Sequence, residues 1–176
     1  MKLKTVALCL ALPMTLALSA MTTTTASAGE AVIYWEDITK FSDVDAGVNS
    51  QPKFNRKLKK AMSNHFGKLA EQLPTGYKWE VQIHDVNLAG KISRAYRNDR
   101  EPLRVYDTFF NPSMEISYRI SDNNGKVIAN DKHFKLTDHY VDRYRSKKHM
   151  QRFLSYEKMM MNAWFKKVLL PFVEQA

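Results

Sequence analysis

The sequence predicts an α+β fold: a two-layer sandwich in which a mostly antiparallel sheet of about four strands carries two main helices on one face. Three observations predict it. Several short stretches alternate apolar and polar residues with period two, and two longer stretches repeat apolar residues at helical spacing. Between two of the strand-like stretches, Asp122-Asn123-Asn124-Gly125 reads as a hairpin turn.

Ala31, Ile33 and Trp35 alternate with Val32, Tyr34 and Glu36, which marks a strand. Both of its sides are largely apolar, so it is expected to be well covered. Residues 38–49 read as a polar loop. Ser50, Gln51 and Pro52 then start a helix, because proline in the first turn lacks only an N–H that has no partner there. Phe54, Leu58, Met62, Phe66, Leu69 and Leu73 recur at helical spacing, with lysines mostly over the remaining surface, and Leu73-Pro74-Thr75-Gly76 ends the helix.

Trp79, Val81 and Ile83 alternate with Glu80, Gln82 and His84 in a second strand, and Asp85 and Asn87 are expected to continue the Val81 and Ile83 face. Residues 91–102 form a basic loop without apolar period, and 103–106 a short strand. Residues 113–121 are the clearest strand, with Met114, Ile116, Tyr118 and Ile120 inward. A two-residue turn at Asn124-Gly125 would set Ala129, Asp131 and His133 opposite Ile120, Tyr118 and Ile116. A three-residue loop with a left-handed Gly125 would set Ile128 opposite Ile120 and Phe134 opposite Met114. The second is preferred, since a one-residue slip exposes Ile128, Phe134 and Leu136, each worth about 1.5–3 kcal/mol when buried. His133 then faces solvent. Asp138 caps a short helix carrying Tyr140 and Tyr144. A longer helix over 150–170 puts Phe153, Tyr156, Met160, Ala163, Trp164 and Val168 on one stripe, and Pro171 stops it. Trp35, Trp79 and Trp164 are expected to join sheet and last helix in one core.

Residues 1–28 have the layout of a cleavable signal peptide: Lys2 and Lys4, an apolar stretch, and Ala26-Ser27-Ala28 before the expected cut. Pro13 interrupts the apolar run, which is shorter than the roughly 20 residues a spanning helix needs, so no transmembrane segment is expected in the mature chain. Residues 29–176 are expected to be a single domain, periplasmic or secreted. The one cysteine, Cys9, lies in the apolar run, so the mature chain has no thiol. Disulfides, thiolate metal sites and cysteine nucleophiles are thereby excluded from it. The mature chain keeps 25 basic residues against 18 acidic, a net charge of +7 with histidine neutral. Such an excess suits phospholipid headgroups, lipopolysaccharide or other polyanions, and is also ordinary for solubility.

Asp43, Asp45, Gly47 and Asn49 faintly resemble a calcium loop, but the glycine is misplaced and Phe54 stands where a bidentate Glu is needed. The five histidines show no paired spacing, and three adjacent methionines at 159–161 point about 100° apart on a helix and cannot converge on one ion. No metal and no cofactor is expected. The most suggestive surface segment holds Arg94, Tyr96, Arg97, Arg100, Arg104 and Tyr106, residue types that grip phosphate, carboxylate or carbohydrate. Asp37, Asp43 and Asp85, with a histidine, are the candidates for general acid–base hydrolysis, which requires them to converge. Nucleic acid is not expected, for want of aromatics arranged to stack bases.

The chain resembles a bacterial exported family, domain of unknown function 3016. The resemblance rests on Val32-Ile33-Tyr34-Trp35-Glu36-Asp37, Phe41-Ser42-Asp43-Val44, Ser50-Gln51-Pro52-Lys53-Phe54, Leu73-Pro74-Thr75-Gly76, Asp85-Val86-Asn87-Leu88-Ala89-Gly90, Asn123-Asn124-Gly125-Lys126-Val127, and Tyr156-Glu157-Lys158-Met159 before Trp164-Phe165. It covers nearly all of the mature chain. It implies export and fold and leaves function open, because the family carries no established activity. The lack of catalytic spacing favours a non-enzymatic envelope module recognising an anionic envelope component or an envelope protein. A periplasmic hydrolase is the alternative.

Overall fold

The computed structural model describes residues 28–93, 102–106, 109–137 and 152–175. The expected signal peptide and the short helix placed after Asp138 lie outside these residues. Alternation builds the sheet. Trp79, Val81 and Ile83 are fully buried in β2 (Lys78–Asn87), while Glu80 and Gln82 lie half-buried on the other side. In β5 (Ser113–Ser121) Met114, Ile116 and Ile120 are buried in the same way. With β1 (Glu30–Trp35) and β6 (Val127–Thr137) these strands form a four-stranded sheet in the order β1-β2-β5-β6. Pairing is parallel between β1 and β2 and antiparallel elsewhere.

A parallel neighbour needs a crossover, and α1 (Gln51–Ala70) supplies it. Its Leu58, Met62 and Phe66 are fully buried against the sheet. The chain returns to the same face through α2 (Ser155–Trp164), which runs on through a wide turn, Phe165–Leu169, into α3 (Leu170–Glu174). Trp79 marks where the layers meet, with Phe66 of α1 at 5.3 Å, Trp164 at 6.0 Å and Phe165 at 5.5 Å between ring centroids. The expected α+β sandwich with both main helices on one face is therefore the architecture observed. Trp79 and Trp164 meet as expected, and Trp35 packs half-buried at the margin of the same core, where it stacks on Phe41 and donates from Nε1 to Ser63 Oγ of α1 at 3.2 Å.

Several local expectations are corrected. β1 is not well covered: it is an end strand of the sheet, and Tyr34 is half exposed. The loop after it is not simply polar, since Ile38, Phe41, Val44 and Ala46 are buried and hold it down. Lys91–Ser93 is not loop but strand β3, paired with β4 (Leu103–Val105) in a separate ribbon. Pro171 does not stop the last helix. The N–H of Leu170 reaches back to Phe165 across a widened turn, which makes room for the proline ring and lets the helix continue. The extra residue rotates the buried face, so Phe165 and Leu169 are inside and Val168, expected on the apolar stripe, is exposed.

The register errors share one cause, β-bulges. Asp122 N–H bonds Lys126 carbonyl at 2.9 Å and Gly125 has a φ of 81°, the expected three-residue loop. Ser121 then pairs with Val127, but the ladder slips so that Ile120 faces Ala129 and Tyr118 faces Asp131. A second slip at Lys132 and His133 returns Phe134 opposite Ile116 and Leu136 opposite Met114. Neither simple register holds, yet Phe134 and Leu136 still reach the core, as hydrophobic burial demands. In β2 the ladder shifts between Ile83 and Asp85. Val86 and Leu88 thereby turn inward, and Asp85 and Asn87 leave the Val81 and Ile83 face, contrary to expectation.

Candidate functional site

The segment after β1 is laid alongside the end of β2. Asp43 N–H bonds Val86 carbonyl at 3.2 Å, and Leu88 N–H bonds Asp43 carbonyl at 3.1 Å. Ser42 donates its N–H and its hydroxyl to the two oxygens of Asp85, each at 2.6 Å. Gln51, in the first turn of α1, accepts from Ala46 N–H and donates to Val44 carbonyl. Asp43 is thus fixed in place.

Arg104 of β4 meets it with both guanidinium arms, each at 2.9 Å from a carboxylate oxygen. The same group donates to the carbonyls of Ala89, Gly90 and Asp45 at 3.2–3.3 Å. Burial works against the Arg104 charge, and the Asp43 carboxylate more than offsets this, so the guanidinium is held more firmly protonated than usual. Gly90 makes the close approach possible: its φ is +80°, and a Cβ there would lie 2.5 Å from Val105 carbonyl oxygen.

Below this pair lies Glu157 of α2, 4% exposed. Its carboxyl accepts Ala89 N–H at 2.8 Å, and burial pushes it well toward its neutral form. Tyr156 beside it packs on Tyr106 with ring centroids 5.1 Å apart. Together with the start of α1 these groups line a cleft of about 600 Å³. Lys53, Lys57 and Arg152 stand at its wall, with Phe54 and Phe153 meeting edge to face at 5.8 Å. Lys57 Nζ lies 4.3 Å over the Phe153 ring. Arg104 is neutralised by Asp43 and Glu157 is driven toward neutrality, whereas Lys53, Lys57 and Arg152 form no ion pair with an acid among the described residues. The cleft therefore has cationic and aromatic walls.

Of the residues expected at a binding site, Arg104 and Tyr106 line this cleft, and Arg94, Tyr96, Arg97 and Arg100 lie outside the described residues. Of the three catalytic candidates, Asp43 belongs to the cleft through Arg104, while Asp85 is spent on Ser42. Asp37 caps the turn Ile38–Lys40, and the Thr39 hydroxyl holds its carboxyl below the usual range. Sequence reading missed Glu157, although it follows Tyr156 on the apolar stripe of a helix, where an acid is conspicuous. It also missed that Lys53 and Lys57, four apart at the start of α1, share one face.

Fold and cleft define a small α+β protein with a ligand-sized cavity at the end of a sheet strand, against a helix start. Within that class the chain belongs to the family described as "Protein of unknown function (DUF3016)", which matches residues 29–167. No curated protein and no solved structure matches the chain. Four segments on which the family resemblance rests, around Asp43, Lys53, Ala89 and Glu157, meet at this cleft.

Proposed function

We propose that this is an exported envelope protein whose cleft binds an anionic ligand, either an acidic envelope component or an acidic segment of an envelope protein. The observation that carries the reading is the wall formed by Lys53, Lys57 and Arg152 beside aromatic rings and a buried acid, Glu157, that burial shifts toward its neutral form. Cations give attraction, and the rings of Phe54, Phe153 and Tyr106 cover the apolar body of whatever bears the charge. Export rests on the signal-like residues 1–28, and β1 begins at the second residue after the expected cut. Mass spectrometry of the protein recovered from an envelope fraction should give a chain starting at Gly29.

The test is capture of phosphatidylglycerol vesicles and of lipopolysaccharide by the full mature chain, beside the triple variant of Lys53, Lys57 and Arg152 to Ala. Binding should weaken with salt and fall at least about tenfold in the variant, as expected when several charge contacts are removed. A second variant with Arg94, Arg97 and Arg100 changed to Ala separates the basic segment from the cleft. Unchanged, salt-insensitive capture by both variants refutes an electrostatic cleft. Hydrolysis through Asp37, Asp43 and Asp85 draws no support from their placement, because each is engaged with a different partner.

A further inference from the structure

The face of the sheet away from the helices carries a row of polar side chains that the cleft does not use. Its members come from four strands: Glu36 just past β1, His84 of β2, Ser117 and Glu115 of β5, and His133 of β6. Two of them owe their position to bulges. The slip after Ile83 leaves His84 over Ser117, and the slip before Phe134 places His133 beside it. The distances are short: His84 Nδ1 lies 2.6 Å from Glu36 Oε1, and His84 Nε2 lies 2.7 Å from Ser117 Oγ. His133 has a φ of 54°, a left-handed conformation uncommon for residues other than glycine, and its N–H points at Ser117 Oγ at 3.2 Å. The rings of His84 and His133 stack at 4.4 Å, and His133 Nδ1 lies 2.6 Å from Glu115 Oε1.

We infer that Ser117 is a nucleophile activated by His84, with Glu36 positioning the imidazole, in an acyl-transfer site separate from the cleft. An ionised carboxylate only accepts, so Glu36 fixes the proton on Nδ1 and leaves Nε2 of the neutral ring bare toward Ser117. That is the nucleophile, base and orienting group needed for covalent catalysis, assembled from residues 33 and 48 positions away in sequence from His84. His84 is held in this pose from three sides, by Glu36, Ser117 and the His133 ring, and its side chain is only 14% exposed.

In the first half-reaction, Ser117 Oγ attacks the carbonyl carbon of a carboxylic ester and its proton passes to His84 Nε2. The carbon–oxygen bond to the alcohol breaks, and the alkoxide leaves with that proton. Water then attacks the acyl-serine carbonyl and gives a proton to His84; the acyl carbon–Oγ bond breaks, His84 returns that proton to Ser117 Oγ, and the carboxylic acid is released. The His133 N–H donates to Ser117 Oγ and so holds the nucleophile's oxygen in place. None of these residues lines the cleft. An open face suits small acyl groups projecting from a larger molecule, and the half-exposed ring of Tyr34 lies two residues before Glu36 on that face.

The experiment uses the full mature chain with a fluorophosphonate probe and with p-nitrophenyl acetate. Mass spectrometry should find the phosphonyl adduct on the Ser117 peptide. Ser117→Ala should lose it, His84→Gln should slow labelling at least about a hundredfold, and Ser121→Ala should leave the rate unchanged. Glu36 is about half exposed, so Glu36→Gln tests the arrangement without disturbing the core. It should slow labelling and displace the single-proton pH profile of the rate, a shift that a purely structural Glu36 would not give. Absence of the adduct, or equal labelling rates in wild type, His84→Gln and Glu36→Gln with unchanged near-UV circular dichroism, overturns the inference. Either result leaves the anion-binding reading of the cleft to its own test.

Discussion

Arg104 ties three stretches of chain together through one guanidinium, bonding Asp43 with both arms and reaching the carbonyls of Asp45, Ala89 and Gly90. Replacing it by Ala strands Asp43, half-buried, without its partner. The expected cost is about 3 kcal/mol, read by urea unfolding, with Arg104→Lys recovering only part because an ammonium cannot bond both oxygens side by side. Glu157 predicts a pH effect. Burial raises its folded-state pKa, so the folded protein holds this proton more tightly than the unfolded chain. The associated stability is present at low pH and is lost as pH rises from the ordinary carboxylate range through the raised value. Glu157→Gln cannot ionise and should flatten that part of the stability profile. An unchanged profile would mean that the carboxyl is not held neutral. Neither residue announced itself fully in the sequence: Arg104 stood out among basic neighbours, but its partner 61 positions away did not.

Elements show where sequence legibility ends. Strand β5 and helix α1 were readable because alternation and helical period are local, and the inward residues followed directly. The bulges were not readable, because a bulge costs one residue of register and is decided by packing across the sheet. Ile128, Phe134 and Leu136 are apolar and need burial, and β6 meets that need by slipping twice instead of holding one register. For the same reason the histidine row was invisible: His84 and His133 are 49 positions apart with no paired spacing, and only the two bulges stack them. The left-handed backbone at His133 gives a check. His133→Gly should keep stability within about 1 kcal/mol, whereas His133→Val, β-branched and strained at positive φ, should cost more. Equal unfolding midpoints for the two would contradict the bulge.

At the scale of the whole molecule, Trp79 and Trp164 knit the layers. Trp164 touches Trp79, Tyr118 and Phe134 with centroid separations of 5.4–6.0 Å, from the helix to three strands. Trp164→Ala should cost about 3–5 kcal/mol, a large part of the roughly 5–15 kcal/mol a domain of this size has. Trp35→Ala should cost less, because that ring is only half-buried at the margin of the sheet. Thermal unfolding of the two variants beside acrylamide quenching orders them. A Trp164→Ala melting temperature close to wild type would contradict the assignment of this ring to the core.

The two end strands of the sheet, finally, are guarded unequally. β6 is kinked by its bulges and carries Asp131, Lys132 and Lys135, features that discourage another strand from pairing there. β1 has no register shift against β2 and carries only Ala31, Val32, Ile33, Tyr34 and Trp35 after Glu30, and among the described residues nothing pairs with its outer side. Any self-association by strand addition should therefore begin at β1. At high concentration a Val32→Lys variant should stay monomeric longer than the parent chain in light scattering, while a charge added to β6 should make little difference.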